Sequence, residues 1–400
     1  MTTEALQTLN HIPNSRARRA ELRYRLDRLE RADRIQLLCL ALDDPYPLLR
    51  HDIAEGFQEE LQRGDEAPDE LDDAIVALLE SVVSESEPTA AVTKALGVPR
   101  ELLPEASTRA RITACVALEG SPFPERTVEV IAPLLDDDDG DLRYQALIAT
   151  NRLVPDSDRL HDVVVDALDD GDPEIVVVAT QIAVMHGWDD LLPQFLHARA
   201  RLSGEDRTQV TFSVGELIDN SELEARDLPP EARGDMIAEC SDALDYEPHT
   251  AAAIKTLANL DAQEATDRLV RITKGWFTHP ILKVEAAAAL VDLGNPLGEE
   301  YLDRALGSRR KDASGYALRI VGERRLKRFY PRLVDIARGD NYHSDTATLA
   351  LADFGGDDAR AVLTDLANTH GNAEVRKLAR SALNAHLTPD PDSFDATLDR

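Results

Sequence analysis

The residues best suited to chemistry lie between positions 304 and 338, where basic side chains accumulate in an acidic chain. This segment holds eleven Lys and Arg against Asp312, Glu323 and Asp335, a net charge of +8 in a chain of −31. Guanidinium and ammonium groups bind carboxylates and phosphates, and arginine does so with two parallel hydrogen bonds. The segment therefore predicts a site for an anionic partner, formed by Arg309, Arg310, Lys311, Tyr316, Arg319, Arg324, Arg325, Lys327, Arg328 and Phe329.

These basic residues form two clusters that flank one helical stretch. Cluster 309–311 precedes a helix expected from Ala313, and cluster 324–328 follows it, so the clusters should lie at opposite ends of that helix. Arg319 comes two positions after the apolar Ala317 and is expected to point away from the core. The two aromatic residues of the set are expected to offer apolar contact. An alternative stays open, in which the arginines pair with acidic residues of neighbouring segments and only balance internal charge.

Other chemical signatures are missing from the sequence. It contains no glycine-rich phosphate loop, no H-E-x-x-H, no His-Glu dipeptide and no G-x-S-x-G. The acidic run Asp136–Asp139 lacks the spacing of a calcium loop, and the scattered histidines, His161, His186, His197 and His386 among them, are expected on helix surfaces or ends. The three cysteines are far apart in apolar stretches and are expected to be reduced core residues. We therefore expect no catalytic residue, no metal and no cofactor.

The elements that must position the basic clusters are copies of one unit: an apolar helix, an acidic turn and a second apolar helix. In the copy at 160–187, apolar residues recur three and four positions apart on both sides of the turn. Asp172 suits an N-cap, Pro173 the first helical turn, and Gly187 a C-terminal stop.

The face of the second helix recurs at intervals of 30 to 40 residues, apart from one interval of 61. It begins at Leu49, Ala110, Leu142, Ile175, Val210, Thr250, Leu282, Ala313, His343 and Val375. Four positions later stand Ile53, Ala114, Ala146, Ala179, Val214, Ile254, Ala286, Ala317, Ala347 and Ala379. Seven alanines in ten copies predict a place where neighbouring helices approach too closely for a large side chain. Such a period predicts a solenoid of stacked repeats.

The head of the second helix resembles the HEAT repeat family, whose pattern is D-[PG]-x-[VIL]-R-x-x-A. It appears as Asp141-Leu142-Arg143…Ala146 and Glu374-Val375-Arg376…Ala379, and more loosely at Leu49-Arg50 and Leu282-Lys283. The resemblance covers about residues 20 to 387. It implies an all-α fold, a right-handed α-α superhelix (a HEAT-like solenoid) of about ten helix pairs. It says less about function, because such arrays serve as scaffolds, adaptors, nucleic-acid binders and a few enzymes.

The composition divides the chain into three segments. We expect a flexible N-terminal lead at 1–15, a HEAT-like array at 16–387 that is irregular at 62–106 and 203–250, and a disordered acidic tail at 388–400. An arginine-rich helix over 16–34 is expected to cap the array, a short helix is expected to be inserted after the helix at 71–83, and Pro133 is expected to bend a first helix.

Charge and composition also limit the function. A net charge of −31 disfavours duplex DNA as a ligand of the whole surface, and reflects either a high-salt habitat or a basic partner. No apolar run reaches membrane-spanning length and no signal segment opens the chain, so a cytoplasmic monomer without a membrane partner is expected. We predict a non-catalytic scaffold or adaptor that holds an elongated or acidic protein partner on its concave face or basic C-terminal repeats. The alternative is a nucleic-acid-binding protein or a DNA-base glycosylase-like enzyme, for which only region 276–342 combines basic and aromatic groups.

Overall fold

The computed structural model describes residues 12, 15–62, 69–103, 106–308 and 311–385. These residues form 22 α-helices, and none of them lies in a strand, so the predicted all-α class is confirmed. The chain divides into two compact units, Met1–Val210 and Thr211–Arg400. The boundary falls inside helix α12, Gly204–Asn220.

The helices of the first unit are numbered from the amino terminus. They are α1 (Ser15–Leu26), α2 (Arg31–Ala41), α3 (Pro47–Leu61), α4 (Glu70–Val83), α5 (Ala90–Leu96), α6 (Thr108–Leu118), α7 (Pro124–Ile131), α8 (Gly140–Leu153), α9 (Asp158–Ala167), α10 (Pro173–Met185) and α11 (Leu192–Arg201).

The second unit continues the alternation of first and second helices. Its helices are α13 (Pro230–Ala243), α14 (Thr250–Asn259), α15 (Thr266–Lys274), α16 (Pro280–Asp292), α17 (Pro296–Leu306), α18 (Lys311–Glu323), α19 (Tyr330–Arg338), α20 (Ser344–Phe354), α21 (Gly356–Thr369) and α22 (Ala373–Ala385).

Second helices stack on one another within each unit. In the first unit α3 contacts α6, α6 contacts α8 and α8 contacts α10; in the second unit α14, α16, α18, α20 and α22 form the same kind of row. The first helices α7, α9, α13, α15, α17, α19 and α21 each pack on the second helix that follows them. Two-layered helix pairs stacked in sequence order are the HEAT-like architecture that the repeat pattern predicts.

The register read from the sequence identifies the most deeply buried seam of the array. All ten residues four positions into the second-helix face have 0% exposure: Ile53, Ala114, Ala146, Ala179, Val214, Ile254, Ala286, Ala317, Ala347 and Ala379. Among the residues that begin the face, Leu282 and His343 are only half-buried. The seam therefore sits where adjacent second helices meet, and alanine predominates there because it lets the backbones approach.

Glycine marks the places where helices approach even more closely than alanine allows. A Cβ added at Gly322 of α18 would lie 2.4 Å from the carbonyl oxygen and 2.8 Å from the Cα of Ala350 on α20. Gly315, two turns earlier on the same helix, has nothing within 4 Å of the corresponding Cβ position. The backbones of α18 and α20 are therefore in contact at Gly322.

Helices α10, α14, α16 and α18 end in one recurring backbone motif. After α10, Gly187 has φ +66°, its N–H donates to Val184 O (3.1 Å), and the next N–H donates to Ala183 O (3.0 Å). The same pair of bonds closes α16 at Gly294, α14 at Asp261 and α18 at Arg325. The expected stop at Gly187 is thus confirmed, and it is one instance of a left-handed cap that glycine fills most easily.

The acidic turns are tied to arginines of the neighbouring repeat. Arg143 of α8 donates to the backbone carbonyl of Asp137 in the turn that precedes its own helix (2.8 Å). It also donates to the carboxylate of Asp170 in the next acidic turn (2.9 and 3.0 Å). Arg111 of α6 reaches Asp137 in the same way (2.9 Å). Burial would raise the pKa of the Asp170 carboxyl, but its hydrogen bonds, above all those from Arg143, outweigh burial and lower it. The arginine of the repeat motif therefore links each turn to the next one.

Three local expectations can be compared with the helices. The prediction of a single helix over 16–34 is wrong, because residues 27–30 separate α1 from α2. Arginines of this stretch pair with carboxylates of α3, as Arg19 does with Asp52. Pro133 ends the α-helical part of α7, and residues 132–136 continue as a 3₁₀ turn. The inserted short helix is α5, whereas 388–400 lies outside the described residues.

We predict opposite effects for two glycine-to-alanine changes on helix α18. Gly322→Ala should lower the free energy of unfolding by roughly 1–3 kcal/mol, because its methyl group would overlap the α20 backbone. Gly315→Ala should raise it by up to about 1 kcal/mol, because alanine restricts the unfolded chain and nothing obstructs the methyl group. Urea unfolding followed by circular dichroism measures both changes. Equal responses of the two variants would contradict the proposed contact.

Candidate functional site

Helix α18 places the predicted basic clusters at its two ends. Lys311 is its first residue, Arg324 and Arg325 follow its last residue, and Ala317 on its inner face is fully buried. Residues 327–329 form a single 3₁₀ turn that leads into α19. The two other members of the first cluster, Arg309 and Arg310, lie outside the described residues.

Arg324 is held inside the second unit by two carboxylates of helix α16. Its guanidinium lies 3.1 Å from Glu285 Oε2 and also pairs with Asp292. Its side chain is only 17% exposed, and that of Glu285 only 11%. Burial raises the pKa of the Asp292 carboxyl, and the positive charge of Arg324 opposes that shift. Arg324 thus joins adjacent second helices and is not free to bind a partner.

Tyr316 and Arg319 belong to the same network. The Tyr316 hydroxyl donates to the Glu285 carboxylate, and burial together with this bond raises the pKa of Tyr316 to about 12. The Arg319 guanidinium lies 4.6 Å from the centre of the Tyr316 ring and 3.2 Å from Glu323 on its own helix. Arg319 is half exposed, as the register predicted, but its charge already has a partner on α18.

The second cluster also contains residues committed to the protein's own packing. Phe329 is only 4% exposed, because the 3₁₀ turn directs its ring into the core beneath α19, so the expected surface contact by Phe329 is not available. Arg328 is exposed and pairs with Glu299 of α17. Within the described residues, Arg324 and Arg328 of this cluster therefore form ion pairs between repeats, in line with the alternative interpretation.

Two cations of the second cluster stand apart from these pairs. Arg325 and Lys327 are exposed, and neither forms an ion pair within the described part of the chain. Arg325 also has φ +49°, a left-handed conformation that is costly for a residue with a Cβ. Where α10 and α16 end in Gly187 and Gly294, α18 ends in an arginine.

A charged cleft of about 560 Å³ opens beside Arg325 on the row of second helices. It is lined by Asp219, Lys255, Asn259, Glu285, Asp292, Ile320, Glu323, Arg324 and Arg325. Lys255 pairs with Asp219 across α14 and α12 (3.0 Å), in the way that Arg324 pairs with α16. The walls of the cleft largely neutralise one another, and Arg325 is the lining cation without a carboxylate partner in the described residues.

The partners of Arg324 were missed from the sequence, although a signal for them exists. Arg324 follows Asp292 by 32 residues, one repeat, and in the first unit Arg152 follows its partner Glu119 by 33 (3.0 Å). Opposite charges one period apart on equivalent helices are expected to meet when the repeats stack. Searching for such pairs would have separated Arg324 from Arg325.

The remaining candidate groups show no constellation for chemistry. No group of three metal-ligating side chains comes together in the described residues. His161 lies 3.0 Å from Asp190, and His186 lies 2.9 Å from Asn151 and stacks on Trp188. The three cysteines are buried, as predicted. No helix in the described ranges is long and apolar enough to cross a membrane.

We predict that Arg324→Gln lowers the free energy of unfolding by roughly 2 kcal/mol, because it leaves two partly buried carboxylates without a counter-charge. The deficit should shrink as the pH is lowered toward the pKa of the Asp292 carboxyl. The pKa of Asp292 is raised in the folded state above its unfolded value, so the folded protein takes up the neutralising proton more readily.

Arg328→Gln is the matched control, because its side chain is 68% exposed and its ion pair is screened by solvent. Its change should stay within about 0.5 kcal/mol. Equal losses in the two variants, or a deficit of Arg324→Gln that does not depend on pH, would show that the network does not hold the repeats together.

Comparison with known proteins finds solved structures of low identity to this chain. No protein-family model matches the chain, and no curated protein matches it. The karyopherin Kap121p bound to the SUMO protease Ulp1p, a HEAT-repeat solenoid, is similar at 13% identity and a TM-score of 0.46 over 95% of this chain. A Kap121p mutant gives 13% and 0.43, and this chain spans 44% of the Kap121p chain in both structures. An engineered protein gives 18% identity and a TM-score of 0.33, covering 96% of this chain and 98% of its own.

Proposed function

We propose that this protein is a non-catalytic scaffold that binds an acidic segment of a protein partner through Arg325 and Lys327, beside the charged cleft of the second unit. The observation that carries the proposal is the backbone of Arg325. A left-handed residue with a Cβ is less favourable than glycine by about 1 kcal/mol, and α10 and α16 have glycine at the equivalent position. An arginine at this position costs stability, and we assign its side chain a role in binding.

The other left-handed residues have explanations of their own. Asp261 is of a type that tolerates this conformation, because its short side chain bonds locally. Glu85 forms an ion pair with Arg111 (2.7 Å). Arg325 has neither explanation in the described part of the chain, and its side chain is exposed. Strained residues that persist without internal compensation are typical of binding sites.

The charge of the chain favours a carboxylate-bearing partner for this site. Carboxylates outnumber cations by 75 to 44, so a cation without a carboxylate partner is unusual on this surface. Arg325 and Lys327 lie two residues apart in one turn and offer a guanidinium and an ammonium group to the same ligand. A partner segment that carries carboxylates would also extend along the second helices next to the cleft. A protein partner of a monomeric, cytoplasmic scaffold fits this better than duplex nucleic acid, which the overall charge repels.

We predict that Arg325→Gly stabilises the protein and weakens partner binding. The free energy of unfolding should rise by up to about 1 kcal/mol because glycine relieves the left-handed strain. Loss of a charge-assisted hydrogen bond should weaken the complex about tenfold or more. The partner is first captured from native lysate on the immobilised full chain and identified, and its Kd is then measured for wild type and variant by calorimetry.

Two controls separate the backbone effect from the charge effect. Asp261→Gly introduces glycine at the equivalent position after α14 and should leave the affinity unchanged, as should Arg332→Gln, which removes an exposed cation of α19. Lys327→Gln should weaken binding in the same direction as Arg325→Gly. A partner that binds Arg325→Gly as tightly as wild type, or an Arg325→Gly variant that is less stable, would overturn the proposal.

A further inference from the structure

The most exposed large apolar side chains in the described residues stand in one turn of the second unit. Trp276 and Phe277, between α15 and α16, are 89% and 97% exposed. Isolated exposed apolar residues are common, but two adjacent aromatic rings that stand almost entirely clear of the surface are not. Nothing in the fold requires them, because neither ring packs against the core.

The surroundings of this turn are basic in a chain that is otherwise acidic. Residues 268–284 contain four Lys and Arg and no Asp or Glu. Arg268 pairs with Asp245 (2.5 Å), whereas Arg271 and Lys274 are exposed and Lys283 is half-buried, and these three form no ion pair within the described residues. The turn therefore presents unpaired positive charge next to apolar rings.

The equivalent turn two repeats later extends the same surface. Tyr342 precedes α20 as Trp276 precedes α16, and it is 67% exposed. Lys311, at the start of α18 between them, places its ammonium group 3.6 Å from the centre of the Tyr342 ring. This contact shows that the turns before α18 and α20 lie within side-chain reach of each other. Aromatic and basic groups thus follow one edge of the second unit, at the opposite end of α18 from Arg325.

The shape of this edge limits what can occupy it. Rings exposed to 89% and 97% have no protein walls around them, whereas contacts that dominate protein interfaces are ringed by neighbouring contacts that exclude water. A nucleic-acid strand would need free aromatic faces for stacking, and Lys311 already covers a face of Tyr342. A lipid bilayer encloses a projecting side chain from every side, and its headgroup region favours tryptophan.

We propose that this edge, defined by Trp276, Phe277, Lys274, Lys283, Lys311 and Tyr342, is a peripheral contact for an anionic lipid bilayer. The aromatic rings enter the headgroup layer, and the unpaired cations meet the lipid phosphates and carboxylates. At physiological ionic strength, salt screens the charge of the acidic surface beyond about 8 Å. When the edge touches the bilayer, the lipid headgroups therefore interact mainly with the positive charges of the edge. The sequence predicted no membrane partner because it lacks a spanning segment, and a surface contact needs none.

The test uses the full chain with Trp188→Phe, which leaves Trp276 as its only tryptophan. It is mixed with vesicles of phosphatidylcholine alone or of phosphatidylcholine with phosphatidylglycerol. Trp276 emission should shift to shorter wavelength, and the protein should sediment with the anionic vesicles, less so as salt is raised. Trp276→Ser with Phe277→Ser, in the wild-type chain, should weaken co-sedimentation at least about tenfold. Lys274→Gln with Lys283→Gln should remove the preference for anionic lipid.

Tyr246→Ser is the matched control, because Tyr246 is an exposed aromatic residue of the same unit in an acidic setting, and this change should leave vesicle binding intact. Circular dichroism confirms that each variant is folded. Folded protein that ignores anionic vesicles at low salt, or binding that survives the double serine change, would overturn the proposal. So would a Trp276 signal that responds to a single-stranded oligonucleotide but not to vesicles, which would assign the edge to nucleic acid.

Discussion

The close approach of consecutive second helices is the constraint on which the rest of the structure depends. Ten seam positions with 0% exposure, seven of them alanine, fix the separation between repeats, and at Gly322 the backbones of α18 and α20 touch. Once that separation is fixed, a side chain on one second helix meets the residue one period away on the next. Because of the seam, side chains one repeat apart in the sequence meet in specific ion pairs such as Arg152–Glu119 and Arg324–Asp292.

Those ion pairs explain how so acidic a chain forms a stable array. Each acidic turn or helix end that the stacking brings together needs a cation, and arginine supplies it in Arg143–Asp170 and Arg111–Asp137, with bonds to backbone carbonyls as well. An exposed pair of this kind contributes little by itself, but pairs repeated at every interface connect all the repeats of a unit. Within the +8 segment, Arg324, Arg328 and Arg338 form pairs of this kind with neighbouring repeats.

The sequence was sufficient for the fold because the fold is periodic. Spacing alone located Ala317 and Ala379 on the inner face, since a repeated pattern averages out local ambiguity. The site was harder to predict, because the net charge over 304–338 counts Arg324 and Arg325 alike. The side chain of Arg324 is 17% exposed and lies between two carboxylates, whereas Arg325 has no ion pair in the described residues. Exposure and backbone conformation separate them, and neither property appears in composition. The full exposure of Phe277 was hidden for the same reason.

The two ends of helix α18 show how one repeat can carry binding residues and still keep its packing. Ala317 and Gly322 of its inner face pack in the seam, where a larger side chain would overlap the neighbouring helix, and Tyr316 in its middle is bonded to Glu285. In the turns at its two ends, some side chains stand outside these constraints. There the chain departs from its own repeat. At one end Arg325 stands where α10 and α16 have glycine, and at the other end Lys311 lies against the exposed ring of Tyr342. Departures from the repeat at positions that packing leaves free are where selection for binding can act, and the two proposed contacts lie at those positions.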